Sequence, residues 1–158
     1  MEEGSRRDWT IGDQAVEALR VGLGSGLVAA VLFGSRARGD ASPTSDWDLL
    51  VIARDLPART FQRHLFLKRM LPPACRGAVS ILAKTPDEFQ ARLPSLYLDI
   101  ALDGHILYDV DGFAERSLIA LRRLIRKSGL YRERTDAGVS WQWEKPPSGT
   151  WSLEWGQV

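Results

Sequence analysis

Cysteine is almost absent from this chain: Cys75 stands alone among 158 residues, so no disulfide can form within it. Cys75 lies between Pro73 and Gly77 with only Arg76 as a basic neighbour, which gives no setting for an activated thiol. Histidine is nearly as scarce, and His64 and His105 stand at no metal-ligand spacing, so both are read as structural or surface residues. No apolar run approaches the ~18 residues that mark a membrane span. Met1 to Ser5 lacks a basic stretch followed by an apolar one, so the expectation is a cytoplasmic protein with no membrane partner. A net charge of +1 excludes a strong overall pull on nucleic acid. Arginines do gather between Arg116 and Arg134, which leaves a local contact with nucleic acid or an acidic partner open. Internal repeats and low-complexity segments are lacking too, and the length suits one ordinary core rather than two.

What the chain does have is concentrated between Val31 and Ile52. Leu27 to Phe33 and Asp48 to Ala53 are apolar, β-branched runs of the length of buried strands, expected in one sheet. Between them, Gly34-Ser35 ends the first strand with a residue that tolerates positive φ and a hydroxyl that can cap a turn, which would aim backbone N–H groups outward as a phosphate cradle. A short turn over Arg36 to Arg38 and a loop over Asp40 to Ser45 follow. Asp46 and Asp48, at i and i+2 by the mouth of the second strand, leave one face while Trp47 leaves the other. Two carboxylates in a small space are unfavourable unless a proton or cation relieves them, and Mg²⁺ takes oxygen ligands of this kind.

Gly34-Ser35, ten residues, then Asp46-Trp47-Asp48-Leu49 resembles the DNA polymerase β-like nucleotidyltransferase superfamily, and within it the minimal nucleotidyltransferases, where Gly-Ser-x-Ala-x-Gly and Ser-Asp-x-Asp-Leu recur in this order. The likeness is strong over residues 28–53 and extends, through Thr85 to Phe89 and Asp103 to Tyr108, to about residue 110. It implies an α/β (α+β) fold with a small mixed sheet flanked by helices. It also implies Mg²⁺ at Asp46 and Asp48 as catalytic and metal residues, and ATP or another NTP held by Gly34, Ser35, Arg36, Arg38 and Ser45. The implied reaction moves a nucleotide, AMP from ATP, onto a hydroxyl. Small relatives act as antitoxins of HEPN-type ribonuclease toxins, so a separate HEPN-type protein is an implied partner. One departure stands out: active members carry a third carboxylate on the next strand, and the aligned position here is Ser80, a neutral, weak ligand and no base.

In order, the chain reads as a helix from Asp8 to Leu23, the two motif strands, and a helix from Pro57 to about Met70 with Phe61, Leu65, Lys68 and Met70 alternating with Arg59, Arg63 and Arg69. A strand over Ala78 to Lys84 then implies a crossover. Thr85 to Glu88 opens a capped helix, Pro94 to Leu102 a second, and His105 to Tyr108 a strand. Asp111-Gly112 precedes a helix from Phe113 to Ser128 with Ala114, Leu118, Leu121, Leu124 and Ile125 inward and Arg116, Arg122, Arg123, Arg126 and Lys127 outward. Residues 1–110 are taken as the nucleotidyltransferase core and 111–158 as an extension of the same domain.

The tail alternates on both sides of Lys145 to Gly149, which predicts a hairpin of Val139–Trp143 with Trp151–Trp155 and one face of Trp141, Trp143, Trp151, Leu153 and Trp155. Such a face packs on the domain's own core or meets an oligomer or other partner. The rival to an active enzyme is therefore a degenerate nucleotidyltransferase fold working as a binding module, favoured by Ser80. Antibiotic-type modification of small molecules fits less well, since those relatives carry a larger acceptor domain.

Overall fold

The computed structural model describes residues 10–149 and 152–155. The start of the first expected helix at Asp8, the N-terminal residues Met1 to Ser5, and Trp151 lie outside them. The elements run α1 (Ile11–Leu23), β1 (Leu27–Phe33), α2 (Gly34–Arg38), β2 (Trp47–Ala53), α3 (Thr60–Lys68), α4 (Pro73–Arg76), β3 (Val79–Lys84), α5 (Pro86–Ala91), α6 (Ser95–Asp103), β4 (His105–Asp109), α7 (Phe113–Ser128), β5 (Leu130–Thr135) and β6 (Gly138–Trp143). The first four strands form one mixed sheet in the order β3-β2-β1-β4. β1 is antiparallel to β2 and β4, and β2 is parallel to β3 through the α3–α4 crossover.

β1 and, from Leu49 onward, β2 are apolar at successive positions because both faces of the sheet are covered there. Ala29, Val31, Leu50 and Ile52 point to one side, against Tyr97, Leu98 and Ile100 of α6 and Leu118, Leu121 and Ile125 of α7. Ala30, Leu32, Leu49 and Val51 point to the other, against Ala15, Val16 and Leu19 of α1 and Leu67 of α3. Local chemistry sets the helix starts: Thr10 with Asp13 and Thr85 with Glu88 form reciprocal capping boxes at α1 and α5. Asp109 accepts from the backbone N–H of Ala114 and Glu115 at 3.0 and 2.9 Å to cap α7. No helix among the described residues is long and apolar enough to cross a membrane.

Two expectations change. In α3 the buried residues are Arg63 and Leu67, while Phe61 is 72% exposed. Arg63 can be buried because its guanidinium donates to Pro57 O at 2.8 Å, Ala83 O at 3.1 Å and Glu88 Oε1 at 3.0 Å. The hairpin is also built from a different first strand: β6 pairs with β5, with Arg132 opposite Trp141 and Arg134 opposite Val139. Gly138, at φ +118°, closes the tight Asp136-Ala137 turn that brings them together. Residues 152–155 form no strand, and Pro146-Pro147 ahead of them offer no N–H donors for a ladder.

The tryptophans are spent largely on the chain itself. Trp141, Trp143, Leu153 and Trp155 pack against the α6–α7 core, and Trp155 Nε1 donates to Phe89 O and Arg92 O at 3.1 and 3.0 Å. The described part of the tail therefore covers its own domain.

Candidate active site

Strand parity decides which side of the sheet carries the chemistry. Trp47 shares parity with Leu49 and Val51 and packs into the α1 core, so Asp48 emerges on the α6–α7 side. Gly34 turns the chain there at φ +73°, and a methyl group on it would collide with Asp48 Oδ2, so only glycine allows the backbone so near this carboxylate. Burial pushes the Asp48 carboxyl above its ordinary value; the charge of Asp46 pushes the same way, and Arg38 opposes both. Asp46 is exposed just before β2. Its charge also acts on Lys68, whose ammonium is lowered by burial and donates to the carbonyls of Val79 and of Arg76, the latter at 2.9 Å.

The loop between the two motif halves is tied down by Arg36. Its guanidinium donates to Ser45 O at 3.0 Å and Pro43 O at 3.3 Å and lies 4.7 Å over the Trp47 ring. Ser45 Oγ accepts from Ser42 N at 2.9 Å, so it shapes the same loop. His105 Nε2 sits 2.9 Å from Ala37 O and joins β4 to α2.

Asp48 opens into a cavity of about 670 Å³ lined also by Phe33, Gly34, Ser35, Arg38 and Leu96. That volume is in the range of small-molecule sites. Its far wall comes from α6 and the hairpin: Asp99, Asp103, Arg132, Arg134 and Val139. Arg132 forks onto Asp103 at 2.6 and 2.8 Å and reaches Asp99 at 3.2 Å, and Trp141 Nε1 donates to the same Asp99 oxygen at 3.2 Å. Two acidic side chains of α6 thus hold the hairpin beside the motif.

Comparison with known proteins identifies the family and the fold. The family model described as polymerase beta, nucleotidyltransferase matches residues 25–111. The chain belongs to that family. A curated protein of Methanocaldococcus jannaschii, provisionally described as a protein adenylyltransferase, is 33% identical over 119 residues, spanning 73% of this chain and 81% of the relative. Among solved structures, a toxin–antitoxin with AMP-PNP aligns with TM-score 0.51 at 20% identity, over 73% of this chain and 90% of that one. A Shewanella oneidensis complex, described as a tri-AMPylated HEPN toxin with MNT antitoxin, aligns with TM-score 0.50 at 17% identity, over 74% and 85%. At these identities the two structures speak for the fold, a mixed sheet flanked by helices.

Of the residues the motif nominated in this nucleotidyltransferase, Gly34, Ser35, Arg38 and Asp48 line one cavity. Asp46 stands at its strand mouth, and Arg36 and Ser45 are engaged in the loop. Ser80 pairs in register with Asp48 across the parallel β2–β3 ladder, beside the carboxylate where a third acid would complete the set. Among the described residues, no three His, Cys, Asp or Glu side chains are grouped to hold a metal ion. Cys75 is buried, and burial raises its thiol, which suits a packing residue. Sequence reasoning missed Asp99, Asp103, Arg132 and Arg134; the alternating Leu130 to Thr135 run before Asp136-Ala137-Gly138 was the available signal.

Proposed function

We propose that this nucleotidyltransferase transfers AMP from ATP to a hydroxyl of a separate protein, with Mg²⁺ held by Asp46 and Asp48. The observation that carries this reading is Asp48 itself. It is a half-buried carboxylate, raised by burial and by a second carboxylate, facing a nucleotide-sized cavity next to Gly34 and Ser35. Oxygen donors under like-charge repulsion suit a hard divalent cation, which the charge on Asp48 would favour. When bound, Mg²⁺ supplies charge neutralisation at the phosphates.

The protein's own part is positioning. Gly34 and Ser35 would seat the β- and γ-phosphates, and Arg38 would lie along the same wall. The acceptor oxygen bonds to the α-phosphorus as the bond from that phosphorus to the bridging oxygen breaks. Pyrophosphate leaves, and the hydroxyl proton passes to solvent, because Ser80 offers no base. Arg36 and Ser45 contribute by keeping the loop before Asp46 in place. The relative described as a protein adenylyltransferase and the solved complex of an AMPylated HEPN toxin support a protein acceptor of the HEPN type.

Asp46→Asn and Asp48→Asn should each abolish transfer of label from α-labelled ATP while far-ultraviolet circular dichroism stays unchanged. Undiminished transfer in both variants would remove the site from this reading. The second reading is a degenerate module that binds a partner without transfer, and Ser80 beside Asp48 favours it. A wild-type protein that binds its partner and nucleotide but transfers nothing would establish that alternative.

A further inference from the structure

The β5–β6 hairpin lies beyond the residues matched by the family model, yet it supplies one wall of the cleft. Its inward face is graded along its length. At the base, Leu130 opposite Trp143 packs on the core; in the middle, Arg132 opposite Trp141 is bound to Asp99 and Asp103; at the tip stands Arg134 opposite Val139. The first two pairs fasten the hairpin, and the third reaches over the cavity.

Arg134 and Arg38 meet on one oxygen, Asp40 Oδ2, at 3.3 and 3.2 Å. Arg134 has 69% of its side chain exposed, and Asp40 41%. Exposed pairs of this length hold weakly, whereas a phosphate oxygen offers a guanidinium a stronger, charge-assisted partner. Two guanidinium groups on one carboxylate also leave that trio with an excess of one positive charge, and both arginines line the cavity that holds Asp48.

We propose that the hairpin tip completes the nucleotide site, with Arg134 exchanging its contact to Asp40 for a phosphate of the bound nucleotide. This rests on the nucleotidyltransferase reading above and adds to it a phosphate ligand from outside the matched region. Arg132 is a positioning residue in the same scheme, because its donors are committed to α6.

The test is calorimetric titration of the full chain with ATP and Mg²⁺ at low ionic strength. Arg134→Ala should weaken binding about tenfold, the loss of one exposed charge-assisted hydrogen bond, and Arg134→Lys should restore part of it. Asp40→Asn separates ligand contact from mere fastening. If Arg134 binds phosphate, removing its competitor tightens ATP about threefold; if Arg134 only holds the hairpin down through Asp40, the same change weakens ATP as Arg134→Ala does. Unchanged affinity in Arg134→Ala, or equal weakening in both variants, overturns the proposal while leaving the nucleotide reading in place. A wild-type protein that binds no ATP overturns both.

Discussion

Asp103→Asn tests how the hairpin is held over the cleft. Arg132 donates twice to Asp103, at 2.6 and 2.8 Å, with side-chain exposures of 25% for the arginine and 13% for the acid. The asparagine keeps one neutral acceptor and loses the charge, so two hydrogen bonds between opposite charges become one from the guanidinium to a neutral oxygen. Exposed pairs contribute about 0–1 kcal/mol and broken buried pairs cost about 3–5 kcal/mol, so this half-buried clamp should cost about 2 kcal/mol. For a chain of this size that lowers Tm by about 6 °C. Arg132 holds the Asp103 carboxyl below its usual value, its hydrogen bond being the largest cause. A depressed acid stabilises the fold above its unfolded pKa and loses that contribution as pH falls through the folded one. The wild-type and variant Tm curves should therefore stand apart at pH 7 and converge below about pH 4, the ordinary aspartate range. Hydrogen exchange should show faster amide exchange over β5 and β6 in the variant at pH 7. A Tm gap below about 1 °C, or one that persists unchanged into acid, would refute the clamp.

Gly34→Ala places a methyl group against Asp48 Oδ2 at a backbone φ of +73°, so it should cost about 2 kcal/mol and lose Mg²⁺-dependent nucleotide binding. Urea unfolding with ATP titration checks it, and an unperturbed site would contradict the close approach. Trp155→Ala removes a ring 5.2 Å from Phe89 and an indole N–H shared between two carbonyl oxygens, and should cost about 2 kcal/mol in urea unfolding. Trp155→Phe, which keeps a ring without the donor, should cost about 1 kcal/mol. Neutral behaviour of both would mean that the tail does not seal the core in solution.

The sequence alone determined what depends on near neighbours. Apolar runs at Leu27 to Phe33 and Asp48 to Ala53, the alternation that parts Trp47 from Asp48, and the caps and inward stripe of Phe113 to Ser128 all follow from backbone periodicity and local hydrogen bonding. The spacing of Gly34-Ser35 from Asp46 and Asp48 likewise brought out the candidate site, because one strand-turn-strand unit places Gly34, Ser35 and Asp48 on one cavity. Ser80 was singled out only by its alignment with the third carboxylate of the resembling family, and the parallel register now sets it opposite Asp48.

Only tertiary structure decided the rest, since it depends on residues far apart in the chain. Arg63 is an ordinary helix-surface residue until the carbonyls of Pro57 and Ala83 and the carboxylate of Glu88 surround it. Arg36 reads equally well as a contact to phosphate or a partner and as a solvated side chain until Pro43, Ser45 and Trp47 are seen around it, where it braces the loop. The hairpin is the largest case. A strong tryptophan alternation suggested one strand pairing, but a tight turn at Asp136 to Gly138 costs less chain entropy than a longer loop. Arg132 and Trp141 then find Asp99 and Asp103 some thirty to forty residues away and bring the hairpin to the cleft. Charge complementarity across that distance has no periodicity to read, so the outer wall of the site exists only in the folded chain.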